Sequence, residues 1–273
     1  MTGQPILTIS DLTVEIEIDG GNHRVLDHVS LTLDPGEPVG LVGESGSGKS
    51  MTLRSILGML PYSARIVSGE IHFRGRDILR SGRRRGYDGA VRGSGISMVF
   101  QEPAVALNPV MRVGDQITDA VAEKKGLSKA AARDLAVELM NRVGINDAEH
   151  RAASYPFELS GGMRQRVMIA AAVAQEPEIL LCDEPTTALD VTIQAQVLDL
   201  FREMQQHSGL GLLYVTHDLA VVAQLCTTIN IMRHGRIIEG GPLQSVFDDP
   251  QAEYTKALLT ATSRIDGPAE TFA

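Results

Sequence analysis

The chain has 273 residues, 43% of them hydrophobic and 22% charged, which is ordinary for a globular protein and enough to bury a sizeable core. Its formal net charge of −9 argues against a nucleic-acid binder held by phosphate contacts. No apolar run reaches the length of a membrane span, Met1-Thr2-Gly3-Gln4-Pro5 lacks the charged start of a secretory signal, and Cys182 and Cys226 form neither a ligand cluster nor a disulfide framework. The expectation is a cytosolic protein that works with a membrane only through partners.

In chain order, Leu12–Ile18 alternates apolar and polar residues, as a half-buried strand does. Asp19-Gly20-Gly21-Asn22 signals a hairpin turn, and Val29–Leu33, closed by Pro35-Gly36, is a second strand. Val39-Gly40-Leu41-Val42 reads as a buried strand. It runs into Gly43-Glu44-Ser45-Gly46-Ser47-Gly48-Lys49-Ser50, the G-x-x-x-x-G-K-[ST] pattern of a phosphate-binding loop. A helix follows from Ser50 and Met51 and is expected to stop at Pro61. Glycines let successive N–H groups turn inward on an anion, and the helix start adds about half a unit of positive charge there. Lys49 would reach the β- and γ-phosphates and the Ser50 hydroxyl would ligate Mg²⁺.

A strand at Gly69–Phe73 precedes the basic run Arg80–Arg85, which reads either as a solvated loop or as a contact for anionic headgroups. Ile96–Phe100 is strand-like and ends at Gln101, where a polar side chain can orient water or touch Mg²⁺. From Val113 to Val143 the pattern becomes helical, with Ser128 as N-cap and Gly144 as stop, and reads as a lobe inserted in an α/β core. Leu159-Ser160-Gly161-Gly162-Met163-Arg164-Gln165-Arg166 opens another helix. Ser160 with two glycines is either a plain N-cap or a second anion-binding helix start, which suggests a nucleotide held between two molecules. Ile179-Leu180-Leu181-Cys182-Asp183-Glu184 is a buried strand ending in two acids, which suits Mg²⁺ at Asp183 and a water-polarising Glu184. Ala188-Leu189-Asp190 leads into a helix to about Ser208. Gly211–Thr216 is a buried strand ending at His217, placed to contact a γ-phosphate. A short helix, a strand at Thr228–Met232, a turn at His234-Gly235 and a helical tail ending near Thr262 complete the chain.

Together these residues resemble the ATP-binding subunit of ABC transporters. The phosphate loop at Gly43–Ser50, Q-loop at Gln101, signature at Leu159–Arg166, Walker B at Ile179–Asp183 with Glu184, D-loop at Ala188–Asp190 and switch His217 stand in the family's order. Phe100-Gln101-Glu102-Pro103 with Leu107-Asn108-Pro109, the run Asp183–Thr192, and Tyr254-Thr255-Lys256-Ala257-Leu258-Leu259 narrow the resemblance to the oligopeptide/dipeptide/nickel importer family. The resemblance implies an α/β phosphate-loop NTPase with a RecA-like core, an N-terminal antiparallel β subdomain and an inserted helical subdomain. The core with the β subdomain would take 1–102 and 166–240, the helical subdomain with the signature 103–165, and a helical tail 241–273. It implies ATP and Mg²⁺ as cofactors and ATP hydrolysis in a head-to-tail dimer with itself or a paralogue. In each site Lys49, Ser50, Gln101, Asp183, Glu184 and His217 of one subunit would face Ser160, Gly161, Gly162 and Asp190 of the other. Partners would be two membrane-spanning permeases and an extracytoplasmic solute-binding protein, with no nucleic acid, and the chain would sit peripherally on the cytoplasmic face of the membrane.

The sequence departs from that pattern in two places. Ile16 stands where many members place an aromatic to stack on adenine, and the chain ends at Ala273 without the longer cysteine-bearing tail of many peptide importers. The second departure leaves nickel or metal-chelate import open beside peptide import. A phosphate-loop kinase is a third reading, which the signature and Q-loop disfavour, and a soluble ABC ATPase of repair or translation is the runner-up. Such proteins usually carry two cassettes, coiled coils or basic segments, and none is visible in this sequence.

Overall fold

β1 (Leu7–Ile18) and β2 (Gly21–Leu33) are joined through Asp19 and Gly20, both left-handed at φ 51° and 77°. Positive φ at both central residues gives the turn whose twist matches its strands, so the pair Ile18↔Gly21 closes without splaying. Both strands run longer than the sequence predicts. The computed structural model describes residues 4–79 and 95–265, so the Arg80–Arg85 run lies outside the described residues.

The chain divides into two units, Met1–Asp88 with Leu213–Ala273, and Gly89–Leu212. In the first, β1 also pairs antiparallel with β4 (Ala64–Phe73), which pairs with β5 (Arg76–Asp77), giving the order β2-β1-β4-β5. Leu12, Val14, Leu26, Val29 and Ile71 are buried in this layer. β3 (Pro38–Val42), buried at every position, runs parallel to β9 (Thr228–Arg233). α1 (Lys49–Ile56) ends well before Pro61, because Gly58 takes a left-handed φ of 60° and turns the chain out of the helix.

β8 (Gly211–Thr216) carries the boundary between the units, and α8 (Leu219–Leu225) packs on β3. β9 returns through His234 and Gly235, at φ 49° and 78°, into β10 (Arg236–Pro242), a strand the sequence reading passed over in favour of a helical tail. The order here is β10-β9-β3-β8. The tail helices α9 (Leu243–Asp248) and α10 (Glu253–Ile265) follow β10.

In the second unit β6 (Ile96–Val99) and β7 (Ile179–Asp183) are parallel and buried along their whole length. Between them lie α2 (Pro103–Ala106), α3 (Val113–Lys125), α4 (Lys129–Arg142), α5 (Ala148–Arg151), a 3-10 turn at Pro156–Glu158 and α6 (Gly161–Ala174). The predicted Ser128 cap is present, its hydroxyl accepting from Ala131 N at 3.2 Å. α3 packs on α4 and α6. α7 (Val191–Ser208) follows β7, its first turn capped by Asp190, which accepts from Ile193 N at 3.0 Å.

Candidate nucleotide-binding site

The phosphate loop joins β3 to α1 in the first unit, as its sequence context predicts. Lys49 is 5% exposed, and its Nζ donates to Gly43 O at 2.7 Å, Glu44 O at 2.8 Å and Ser47 Oγ at 3.4 Å. The chain curls around its own ammonium group. Gly43 is required by space: a Cβ there would lie 2.1 Å from Met232 O. Gly235 N, in the β9–β10 turn, donates to Ser47 O at 2.8 Å, and Gly235 O accepts from Asp27 N of β2 at 2.8 Å. Two strands therefore hold the loop through one turn residue. Ser50 and Met51 are half-buried in the first turn of α1.

Glu44 N donates to Tyr254 Oη of α10 at 3.1 Å, and the Arg233 guanidinium lies 4.6 Å from the centre of the Tyr254 ring. Sequence reading noted Tyr254 only as part of a family-like tail. The contact joins residues 210 positions apart, which no local pattern announces. His217 is exposed just beyond β8, beside Asp218, whose carboxylate caps α8 by accepting from Ala220 N at 2.8 Å. Ile16 is half-buried in β1, directly across from His23 of β2.

The second unit holds the acidic motif. Asp183 is 3% exposed at the end of β7. Glu184 follows with a left-handed φ of 47°, a conformation that costs a non-glycine residue about 1–2 kcal/mol and turns the chain sharply off the strand. Its carboxylate accepts from Gln101 Nε2 at 3.4 Å and Thr187 Oγ1 at 3.3 Å. The structure thus places Gln101 against Glu184, two positions that the resemblance assigns to one site. Thr187 was not anticipated, although a hydroxyl three residues after a strand-terminal acid is within reach of it. Gln165, 1% exposed on α6, donates to Pro185 O at 2.9 Å and Phe100 O at 3.4 Å, so the signature helix holds the chain on both sides of this pair.

Ser160 caps α6, its hydroxyl accepting from Met163 N at 3.2 Å. Arg166 donates to Gly144 O and Gly162 O, and burial lowers its pKa while the Asp190 charge works against that shift. Gly162 lies against the D-loop, where a Cβ would stand 3.4 Å from Ala188 O. A Cβ at Gly161 would meet nothing within 4 Å, so packing within this chain does not require glycine there. Among the described residues no helix is long and apolar enough to cross a membrane.

Residues 26–187 match the ABC transporter family model. The chain is 46% identical to a peptidoglycan transport ATP-binding protein of Agrobacterium fabrum over 97% of its own length and 48% of the relative's, so it spans about half of that protein. It is 45% identical to a dipeptide transport ATP-binding protein of Bacillus subtilis, covering 96% of this chain and 78% of that one. The dimeric post-hydrolysis structure of an ATP-binding cassette bound to ADP and phosphate superposes with a TM-score of 0.76 at 26% identity, over 87% of this chain and 98% of that one. On a family match spanning most of the motifs and a relative this similar across most of both lengths, the chain belongs to the ABC transporter family.

Proposed function

We propose that this chain is the ATP-hydrolysing subunit of an importer for peptides. The observation that carries it is the phosphate loop: a buried ammonium held by backbone oxygens inside a glycine turn at a helix start. That donor set suits a polyphosphate, which replaces neutral carbonyl partners with anionic ones. Peptide as the solute class is supported by the relatives, which include an oligopeptide transport ATP-binding protein of Streptococcus pneumoniae 42% identical over 95% of this chain.

In this reading Lys49 and the loop amides would bind the phosphates, and Ser50, Asp183 and Gln101 would hold Mg²⁺. Mg²⁺, when bound, neutralises charge developing on the transferred phosphoryl group. Glu184 accepts a proton from the attacking water, Gln101 orients that water, and His217 contacts the γ-phosphate. Ile16 supports the base. The motif order in the sequence supports these roles. Ser160, Gly161, Gly162 and Asp190 act in trans, on the site of a second ATPase molecule, either another copy or a paralogue. Membrane permeases are the partners that use the work, which places the chain on the cytoplasmic face.

Affinity purification of the tagged chain from detergent-solubilised membranes tests this reading. Two integral membrane proteins should co-purify, and peptide presented by their binding protein should stimulate ATP hydrolysis. Recovery with soluble partners alone would overturn the transport reading, and stimulation by a nickel chelate instead of peptide would overturn the substrate class.

A further inference from the structure

The phosphate loop is held at two points by the part of the chain that follows β8. Gly235 N reaches Ser47 O at 2.8 Å, and Tyr254 Oη takes Glu44 N at 3.1 Å. The two braces are linked. Arg233 ends β9, one residue ahead of the His234–Gly235 turn, and its guanidinium sits 4.6 Å from the centre of the Tyr254 ring. Such a cation over an aromatic face holds the ring's position.

From this geometry we infer that Tyr254 is a positioning residue for nucleotide binding, acting through the Glu44 amide on the phosphate loop. A glycine-rich loop is entropically expensive to order. A hydroxyl that fixes its second residue lowers the cost of presenting the following amides to a phosphate. The phenol suits this task because it stays protonated. Burial, with the Glu44 carboxylate adding to it, raises its pKa above the ordinary 10.0 against the lowering by the Glu44 amide and Arg233. α10 is then part of the nucleotide-binding machinery rather than a surface appendage. Arg233 is the coupling member, since it touches the ring and precedes the turn that holds Ser47.

The inference rests on the ATP-binding reading above, and the test separates the two. Equilibrium binding of Mg-ATP to the purified full chain, with steady-state hydrolysis, is measured for wild type and Tyr254→Phe. The phenylalanine variant keeps the ring, its packing and the Arg233 contact, and loses only the hydroxyl. Losing one such hydrogen bond should weaken ATP binding and raise KM about 3- to 10-fold, with kcat within twofold and the melting temperature essentially unchanged. Arg233→Gln, which keeps the first three side-chain carbons but removes the cation and its reach to the ring, should weaken ATP binding in the same direction. If wild type binds no ATP, the functional reading fails. If wild type binds ATP and Tyr254→Phe binds it equally well, or loses affinity only in proportion to a drop in melting temperature, the positioning role is overturned.

Discussion

At the scale of single residues, Glu184 carries the most chemistry per atom. Its left-handed backbone places the carboxylate beside Gln101 and Thr187 instead of along the axis of β7. Glutamine at this position keeps the size and both hydrogen-bonding partners but cannot take a proton from water. Glu184→Gln is therefore expected to bind Mg-ATP normally and to lose at least about 100-fold in turnover, the usual scale for a missing general base. Single-turnover hydrolysis alongside a nucleotide-binding titration checks it, and near-normal hydrolysis would remove Glu184 from the role. The cysteines make a contrasting case. Burial pushes the Cys226 thiol up to about 12, so at pH 8 almost none of it is thiolate. Native protein should resist alkylation at Cys226 and label readily in denaturant. Mass spectrometry of peptides after each treatment decides the matter, and rapid labelling of the native chain would show that α8 opens away from β3.

At the scale of elements, the sequence was most legible where burial and motif coincide. β7 begins at Ile179 in both readings and ends at Asp183, one residue short of the expected Glu184, because an unbroken apolar run ending in acids leaves few alternatives and the left-handed Glu184 turns off the strand. The Ser128 and Ser160 caps were also legible, since a hydroxyl before a helical run has one obvious use. β10 was not. It alternates between exposed and half-buried residues and contains two adjacent glycines, so neither hydrophobic period nor β-propensity marks it, and pairing with β9 makes it a strand. The candidate site residues divide the same way within each unit: the motif residues were readable, while Gly235 and Tyr254 in the first unit, and Thr187 and Gln165 in the second, are recruited by folding. β10 also anchors α10. The Glu239 carboxylate accepts from Gln251 N at 2.7 Å and Ala252 N at 3.0 Å, just ahead of the helix. Burial would raise its pKa, but those amides and Lys256 outweigh it and hold it below the ordinary 4.5. Because the folded value is the lower one, the stabilisation is complete above the unfolded value and fades as pH falls through the folded value. Glu239→Gln should lower the melting temperature by about 2–4 °C at pH 7, for a capping-sized loss of ~1 kcal/mol. The gap should narrow steadily below pH 4.5, and a gap that is constant down to pH 3 would contradict the assignment.

At the scale of the whole molecule, the chain carries one phosphate loop and one signature helix start, and the second has no evident use for all of its features within a single copy. Packing inside this chain does not require glycine at Gly161, where a Cβ would meet open space. Ser160 needs only its own helix for its hydroxyl, yet it stands exposed at the head of α6. A small, open helix start is suited to close approach by something outside the chain, and a γ-phosphate bound to a second molecule fits its positive end. We therefore expect the isolated chain to be mainly monomeric without nucleotide and to dimerise with a non-hydrolysable ATP analogue. After hydrolysis the γ-phosphate no longer bridges the two copies and the dimer should come apart. Light scattering at matched protein concentrations, without nucleotide, with analogue and with ADP, reads these states directly. Ser160→Arg places a long cation at the proposed contact. Losing the cap costs about 1 kcal/mol, which a chain of this size tolerates, so the variant should fold and still bind ATP at its phosphate loop. It should remain monomeric with the analogue and lose steady-state hydrolysis. A Ser160→Arg protein that dimerises and hydrolyses like wild type would mean that the signature acts only within its own chain.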